Sequence, residues 1–240
     1  MADLTLLEII AGQLLILGSF TISASAGMGG SLLLVPTMSL LLGVKEGVAV
    51  AALLLGANNV AKVAAYRATI PWLAASGVVV ATIVGAFIGA RLLAGAPEGL
   101  VAAAVVASLG ASFLAEHGVP AAARRASAPL LALAAGATSG FSGSSGPLKG
   151  IALRALGLDR LHLVGAASLV SLVNDLTKAG VFVEAGLITT STAALILPAL
   201  PLTLLGTWAG RRINIAISER LFAAYFWSVM AGYALRLALR

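Results

Sequence analysis

Four ionisable residues stand within stretches too apolar to solvate them: Lys62, Lys149, Asp175 and Lys178. A charged side chain near the centre of a membrane segment costs at least ~2.5 kcal/mol, so such a residue is a functional candidate by default. Ammonium groups gathered in an apolar surround suit one task, the binding of a small anion. Lys62 and Lys178 each follow an asparagine by four residues, Asn58 and Asn174, which sets amide and ammonium on one helical face. The competing reading is that both lysines snorkel, since Lys62 lies four residues before Tyr66 and Lys178 six before Glu184. Asp175, three residues before Lys178, either neutralises that lysine or serves as a proton relay, as intramembrane carboxylates do.

Lys149 sits just inside the helix expected to open after Gly140-Phe141-Ser142-Gly143-Ser144-Ser145-Gly146-Pro147. Free N–H groups and the positive end of a helix dipole favour an anion there. Ser142, Ser144 and Ser145 add hydroxyl donors, and Gly143 and Gly146 let the backbone approach a ligand. An earlier break, Gly27-Met28-Gly29-Gly30-Ser31, has the same design without a lysine. The bland alternative is a close helix contact made by small residues. The candidate anion-binding set is therefore Gly27, Gly29, Gly30, Ser31, Asn58, Lys62, Ser142, Gly143, Ser144, Ser145, Gly146, Lys149, Asn174 and Lys178, with Asp175 as the candidate proton-coupling group. No nucleophile with a base, metal-ligand cluster or Walker-type loop is present, so no enzyme, metal or cofactor is expected.

The elements that must position these residues are membrane helices. Of 240 residues, 60% are hydrophobic and 10% charged, with a mean hydropathy of +1.06, whereas soluble domains carry about 25% charged residues. Glycine reaches 27 residues against 5% aromatics, a composition suited to close helix approach in lipid. The net charge of +6 and pI near 10.3 do not indicate nucleic acid, because Lys and Arg lie singly or in pairs between apolar runs and build no basic face. Cysteine is absent, and His117 and His162 are far apart, which excludes disulfides and thiolate metal sites. Ser23-Ala24-Ser25-Ala26 resembles a signal-peptidase site, but Asp3 and Glu8 are the only charges before it. The n-region has the wrong sign, and the first segment reads as a retained helix.

A spanning helix needs roughly 20 apolar residues, and the charge-poor runs are 6–26, 46–66, 70–95, 98–115, 160–183, 187–213 and 218–239. Shorter pieces lie at 31–43, 128–139 and 147–157, beside the two breaks. Backbone interrupted within hydrocarbon is tolerable only where it is buried in protein or lines a polar cavity, so the breaks point to a site. The halves repeat: Leu42-Gly43-Val44 matches Leu156-Gly157-Leu158, Asn58-x-x-x-Lys62 matches Asn174-x-x-x-Lys178, and Gly85-x-x-x-Gly89-x-Arg91 matches Gly206-x-x-x-Gly210-x-Arg212. The glycine pairs read as packing faces, and Pro198 with Pro201 as a kink. The expected fold is an all-α polytopic transmembrane bundle of two inverted repeats, 1–117 and 118–240, each a Gly/Ser-broken helical hairpin plus three transmembrane helices. Loop charges divide eight against four if each broken element returns as a hairpin, which puts both termini on the periplasmic side of a cell inner membrane.

These glycine-rich motifs resemble the TauE/SafE sulfite exporter family of polytopic permeases. The likeness runs from Gly27-Met28-Gly29-Gly30-Ser31 through Val35-Pro36 and Leu42-Gly43, across the Gly140–Pro147 run, to the glycine pairs of both third helices, nearly the whole chain. The sequence departs by placing Ser31, Ser144 and Ser145 in the usual glycine runs, and its Asn-x-x-x-Lys pairs match no general family motif. The resemblance implies two homologous halves and transport of sulfite, sulfonates or related organosulfur anions. The function expected is a secondary transporter of such an oxyanion by alternating access, with an anion channel or a non-transporting membrane adaptor as rivals. Its partners would be the small anion and the lipid bilayer, with no nucleic acid; a homo-oligomer is left open.

Overall fold

The computed structural model describes residues 6–25, 30–116, 127–145 and 148–213. All regular structure among them is helical: α1 (Leu6–Ser25), α2 (Ser31–Leu42), α3 (Val44–Tyr66), α4 (Trp72–Gly95), α5 (Glu98–Glu116), α6 (Ala128–Ser142), α7 (Leu148–Arg154), α8 (Arg160–Glu184) and α9 (Thr190–Ile213), with a 3₁₀ turn at Arg67–Thr69. Three stretches are long and apolar enough to cross a membrane unaided, Val44–Thr69, Trp72–Gly95 and Leu161–Glu184. Shorter apolar helices accompany them, and the expected segment 218–239 lies outside the described residues. The outer faces fit lipid rather than water: α4 exposes Trp72, Leu73, Val80, Phe87 and Leu92, and α9 exposes Leu197, Leu204, Leu205 and Trp208.

The first helix belongs to the packed structure. Ile16 and Phe20 are buried in the main core, and Gln13 Nε2 donates to the Leu195 carbonyl of α9 at 2.8 Å. That core centres on α2 and α3, where Leu33, Leu34, Met38, Val48 and Leu54 are fully enclosed. Helix α9 runs through Pro198 and Pro201.

Small residues set the two closest helix pairs. A Cβ on Gly85 or Gly89 of α4 would strike the Leu133 or Ala137 carbonyl of α6, and one on Gly136 or Gly140 of α6 would strike the Thr82 or Ala86 carbonyl of α4. Backbone-to-backbone contact of this kind supplies the dispersion that replaces the hydrophobic effect in lipid. Gly206 likewise brings α9 against Leu17 and Phe20 of α1. Both pairs join an element before residue 117 to one after it.

Helices α3 and α8 pack together and run antiparallel. Gly165, near the start of α8, abuts Thr69 just after α3. At the opposite end, Lys45 Nζ in the first turn of α3 donates to the Ala94 carbonyl of α4 at 3.0 Å, and Arg91 of α4 pairs with Glu184 at the end of α8 at 2.7 Å.

The chain reverses where the sequence places its matched glycines. Gly43 follows α2 with φ 95°, and Gly157 follows α7 with φ 66°, a backbone region open to glycine at little steric cost. The second break begins three residues later than the piece 128–139 suggests, because α6 continues to Ser142. Ser142 Oγ donates back to the Thr138 carbonyl at 2.8 Å, and Gly140 is clamped against α4, so both stay helical. The turn comes at Gly143, φ 78°, whose N–H donates to the Ser139 carbonyl at 2.8 Å.

Candidate functional site

Where α3 and α8 cross beside the ends of α2, α6 and α7, a polar cavity of about 70 Å³ opens. One water needs roughly 10–15 Å³ by such a measure, so the space suits a small polyatomic ion. Its lining brings both breaks together: Gly30 and Ser31 from the first, Gly143 and Ser145 from the second. Lys62 and Asn59 enter from α3, Lys149 from α7, Ser171, Asn174 and Asp175 from α8, and Ser139 from α6.

Behind the lining lies a dense polar cluster. Lys178 is 1% exposed and Asp175 5%, and Lys178 Nζ stands 2.8 Å from Asp175 Oδ1. The other carboxylate oxygen, Oδ2, accepts from Asn59 Nδ2 at 2.7 Å, which ties α8 to α3. Ser139 Oγ accepts from both Asn174 Nδ2, at 2.8 Å, and Lys178 Nζ, at 3.1 Å, which ties α8 to α6. Asn174 Oδ1 is buried without a hydrogen-bond partner. Lys149 Nζ donates to Ser171 Oγ at 3.1 Å. In formal charge, the three lysines and the single aspartate leave two positive charges around the cavity. Burial makes an unpaired ion expensive, and the Asp175–Lys178 pair meets that cost internally.

The sequence-predicted residues divide accordingly. Gly30, Ser31, Lys62, Gly143, Ser145, Lys149, Asn174 and Asp175 line the cavity. Lys178 lies beneath it, its ammonium held by Asp175 and Ser139. Asn58, on the same turn as Asn59, turns away, and its Oδ1 accepts from Thr207 of α9 at 3.0 Å. Ser142 donates to backbone carbonyls, including that of Ser144, and both serines are buried. Gly27, Gly29 and Gly146 lie outside the described residues.

Three polar lining residues were not anticipated, Asn59, Ser139 and Ser171, beside the apolar Leu55. A signal for Asn59 was present. The offset of 116 that pairs Asn58 with Asn174 and Lys62 with Lys178 also pairs Asn59 with Asp175. Ser139 precedes the glycine run and is set into the site because α6 extends past it. Ser171 carries no pattern that separates it from other small residues of α8. Among the described residues, no cluster of His, Asp and Glu could hold a metal ion.

Neither a curated protein nor a solved structure matches the chain. The family profile described as Sulfite exporter TauE/SafE matches residues 13–237. With apolar helices among its described residues and a match across nearly its whole length, the chain belongs to the sulfite exporter TauE/SafE family of membrane transporters.

Proposed function

We propose that this protein is a secondary transporter that binds a small oxyanion, sulfite or a short sulfonate, in the cavity between the two chain breaks. The observation that carries this reading is that one cavity gathers both Gly/Ser breaks with Lys62 and Lys149. Ser31 and Ser145 would donate to the anion's oxygens, Lys149 and Lys62 would counter its charge, and Gly30 and Gly143, which line the cavity without side chains, would allow it to seat closely. Lys178 acts from below, through Asp175 and Ser139, rather than by direct contact.

The halves 1–117 and 118–240 are proposed as inverted repeats about an axis in the membrane plane. Support comes from the antiparallel crossing of α3 and α8, whose matched residues meet at Asn59 and Asp175, and from the paired turns at Gly43 and Gly157. Alternating access would then rock α4 with α6 against α1 with α9 around the cavity. Loop charges support placing both termini on the periplasmic side of an inner membrane.

The test is uptake of radiolabelled sulfite and a short alkyl sulfonate into proteoliposomes, with intact chain and Lys149→Ala at matched protein content. Saturable uptake that unlabelled anion on the far side stimulates is expected for a transporter, whereas a channel would give flux without counterflow. Lys149→Ala should raise the half-saturation concentration roughly tenfold or more, the value of a charge-assisted hydrogen bond. Flux of neither anion would remove the proposed substrate class.

A further inference from the structure

The α3–α8 crossing is built from matched residues, and it is unequal in charge. Asn58, Asn59 and Lys62 on α3 answer to Asn174, Asp175 and Lys178 on α8, all at an offset of 116. Five of these six positions conserve their chemistry across the match or carry no charge; the carboxylate of Asp175 has only the amide of Asn59 opposite it. The matched place on α3 carries the uncharged amide of Asn59 where α8 carries a carboxylate. That carboxylate also cancels the charge of Lys178, which a purely anion-attracting site would keep.

Resting on the transporter reading, we propose that Asp175 is the proton-binding residue that couples anion movement to a proton gradient. Protonation of its carboxyl ends the ion pair with Lys178. The uncovered ammonium, one layer beneath the cavity, then strengthens anion binding, and the proton and a monoanion move together, one of each. Release of both on the far side restores the pair. The charges balance at every stage: the cavity region gains one positive charge with the proton and loses it on binding the anion.

The surroundings allow both states of the carboxyl. Asn59 now donates from Nδ2 to Oδ2 at 2.7 Å, and a half-turn of its amide presents a carbonyl that accepts from a protonated carboxyl instead. The cavity reaches Asp175, so a proton has a polar route to it. Buried Asn174 Oδ1, which has no hydrogen-bond partner, offers an acceptor to a released ammonium or a water on the neighbouring residue. A metal cation is a poor rival, because the ammonium of Lys178 already stands 2.8 Å from Oδ1.

The charged groups that face Asp175 are Lys178 from its own helix, Lys62 from α3 and Lys149 from α7. Helix α4 brings only Arg91, which is paired with Glu184 at the end of α8. Helix α6 brings Ser139 and no titratable group, and Lys45 and Glu46 in the first turn of α3, Arg67 of the 3₁₀ turn and Arg154 of α7 complete the charges on the described elements packed against α8. Among the described residues, Asp175 is thus the only carboxylate lining the cavity.

The experiment uses proteoliposomes of the full chain and a short alkyl sulfonate, a monoanion at every accessible pH. Coupled one to one, its accumulation should follow an imposed pH gradient at about tenfold per unit and ignore the membrane potential. Asp175→Asn should lose gradient-driven accumulation, and the counterflow exchange that it supports should no longer vary with pH. Because a lone buried Lys178 could prevent folding, the double variant Asp175→Asn with Lys178→Gln is measured beside it, with the same loss expected. Intact chain that shows counterflow but no response to the pH gradient, or a double variant that still accumulates the anion, overturns the coupling and leaves the transporter standing. Absence of counterflow for both sulfonate and sulfite overturns the transporter reading, and the coupling with it. Stimulation by a sodium gradient in place of protons also overturns the proposal.

Discussion

Ser139 Oγ takes hydrogen bonds from two side chains of α8, Asn174 and Lys178, and it is 2% exposed. Removing this shared acceptor takes one buried hydrogen bond from each of two donors, about 1 kcal/mol apiece, and leaves Lys178 and Asn174 only Asp175 Oδ1, at 2.8 and 3.3 Å. Ser139→Ala is therefore expected to lower the thermal stability of the solubilised protein more than Ser171→Ala, whose single donor, Lys149, borders the cavity and can turn to water. Equal melting temperatures for the two variants would mean that the cluster does not hold α6 to α8. Asp175→Ala should be costlier still, about 3–5 kcal/mol, because it leaves the Lys178 ammonium buried and unpaired. At this scale the sequence was partly legible. Lysines and an aspartate in apolar runs announce themselves by cost alone, whereas which of two adjacent asparagines faces the cavity depends on helix rotation. Asn58 and Asn59 differ by one residue and point to different neighbours, Thr207 and Asp175.

Helix α8 carries the cluster, and its start is fixed by a side-chain cap outside the spanning segment. Asp159 Oδ1 accepts from the N–H groups of Leu161 and His162 at 2.9 and 3.1 Å, and Oδ2 meets His162 Nδ1 at 2.6 Å. The backbone N–H of His162 first, then its ring, hold the Asp159 carboxyl below the usual carboxylate range. A folded value below the unfolded one means stability that is fully present above the ordinary carboxylate range and lost as pH falls through the depressed value. Asp159→Ala should thus melt earlier than the intact chain at neutral pH, with the difference closing on acidification; a difference independent of pH would refute the cap. Helix α4 gives a second check. A side chain at Gly89 must displace the Ala137 backbone, so Gly89→Val is expected to cost about 1–3 kcal/mol or more. Gly110 of α5 meets nothing within 4 Å, and Gly110→Ala should stabilise by roughly 0.5–1 kcal/mol. Small-xxx-small spacing marked α4 correctly as a packing face, but its partner could not be read from spacing, because the answering glycines of α6, Gly136 and Gly140, lie in a run whose helical part was expected to end at 139.

At the level of the whole molecule, ordered sequence matches relate the stretch 1–117 to the stretch 118–240, but spacing does not say how far each depends on the other. Each half contributes one long helix to the crossing of α3 and α8, and each also lends a helix to the other: α4 packs on α6, and α9 on α1. The close faces of α4, α6 and α9 would be turned to lipid in an isolated half. There, Gly85, Gly89, Gly136, Gly140 and Gly206 would lose the backbone contacts that only small residues permit. The polar cluster would suffer more, since residues 1–117 alone leave Asn59 without Asp175, and residues 118–240 alone leave Asp175 without Asn59. Neither half should accumulate stably when expressed by itself. Cut within the polar stretch that holds Glu116, His117, Pro120, Arg124 and Arg125, the two pieces co-expressed should assemble, co-purify and recover anion uptake in proteoliposomes. If one half alone folds and resists proteolysis in membranes to the extent of the intact chain, the interlocked arrangement does not govern stability. Co-purification without uptake would instead locate the requirement for a continuous chain in the transport cycle rather than in folding.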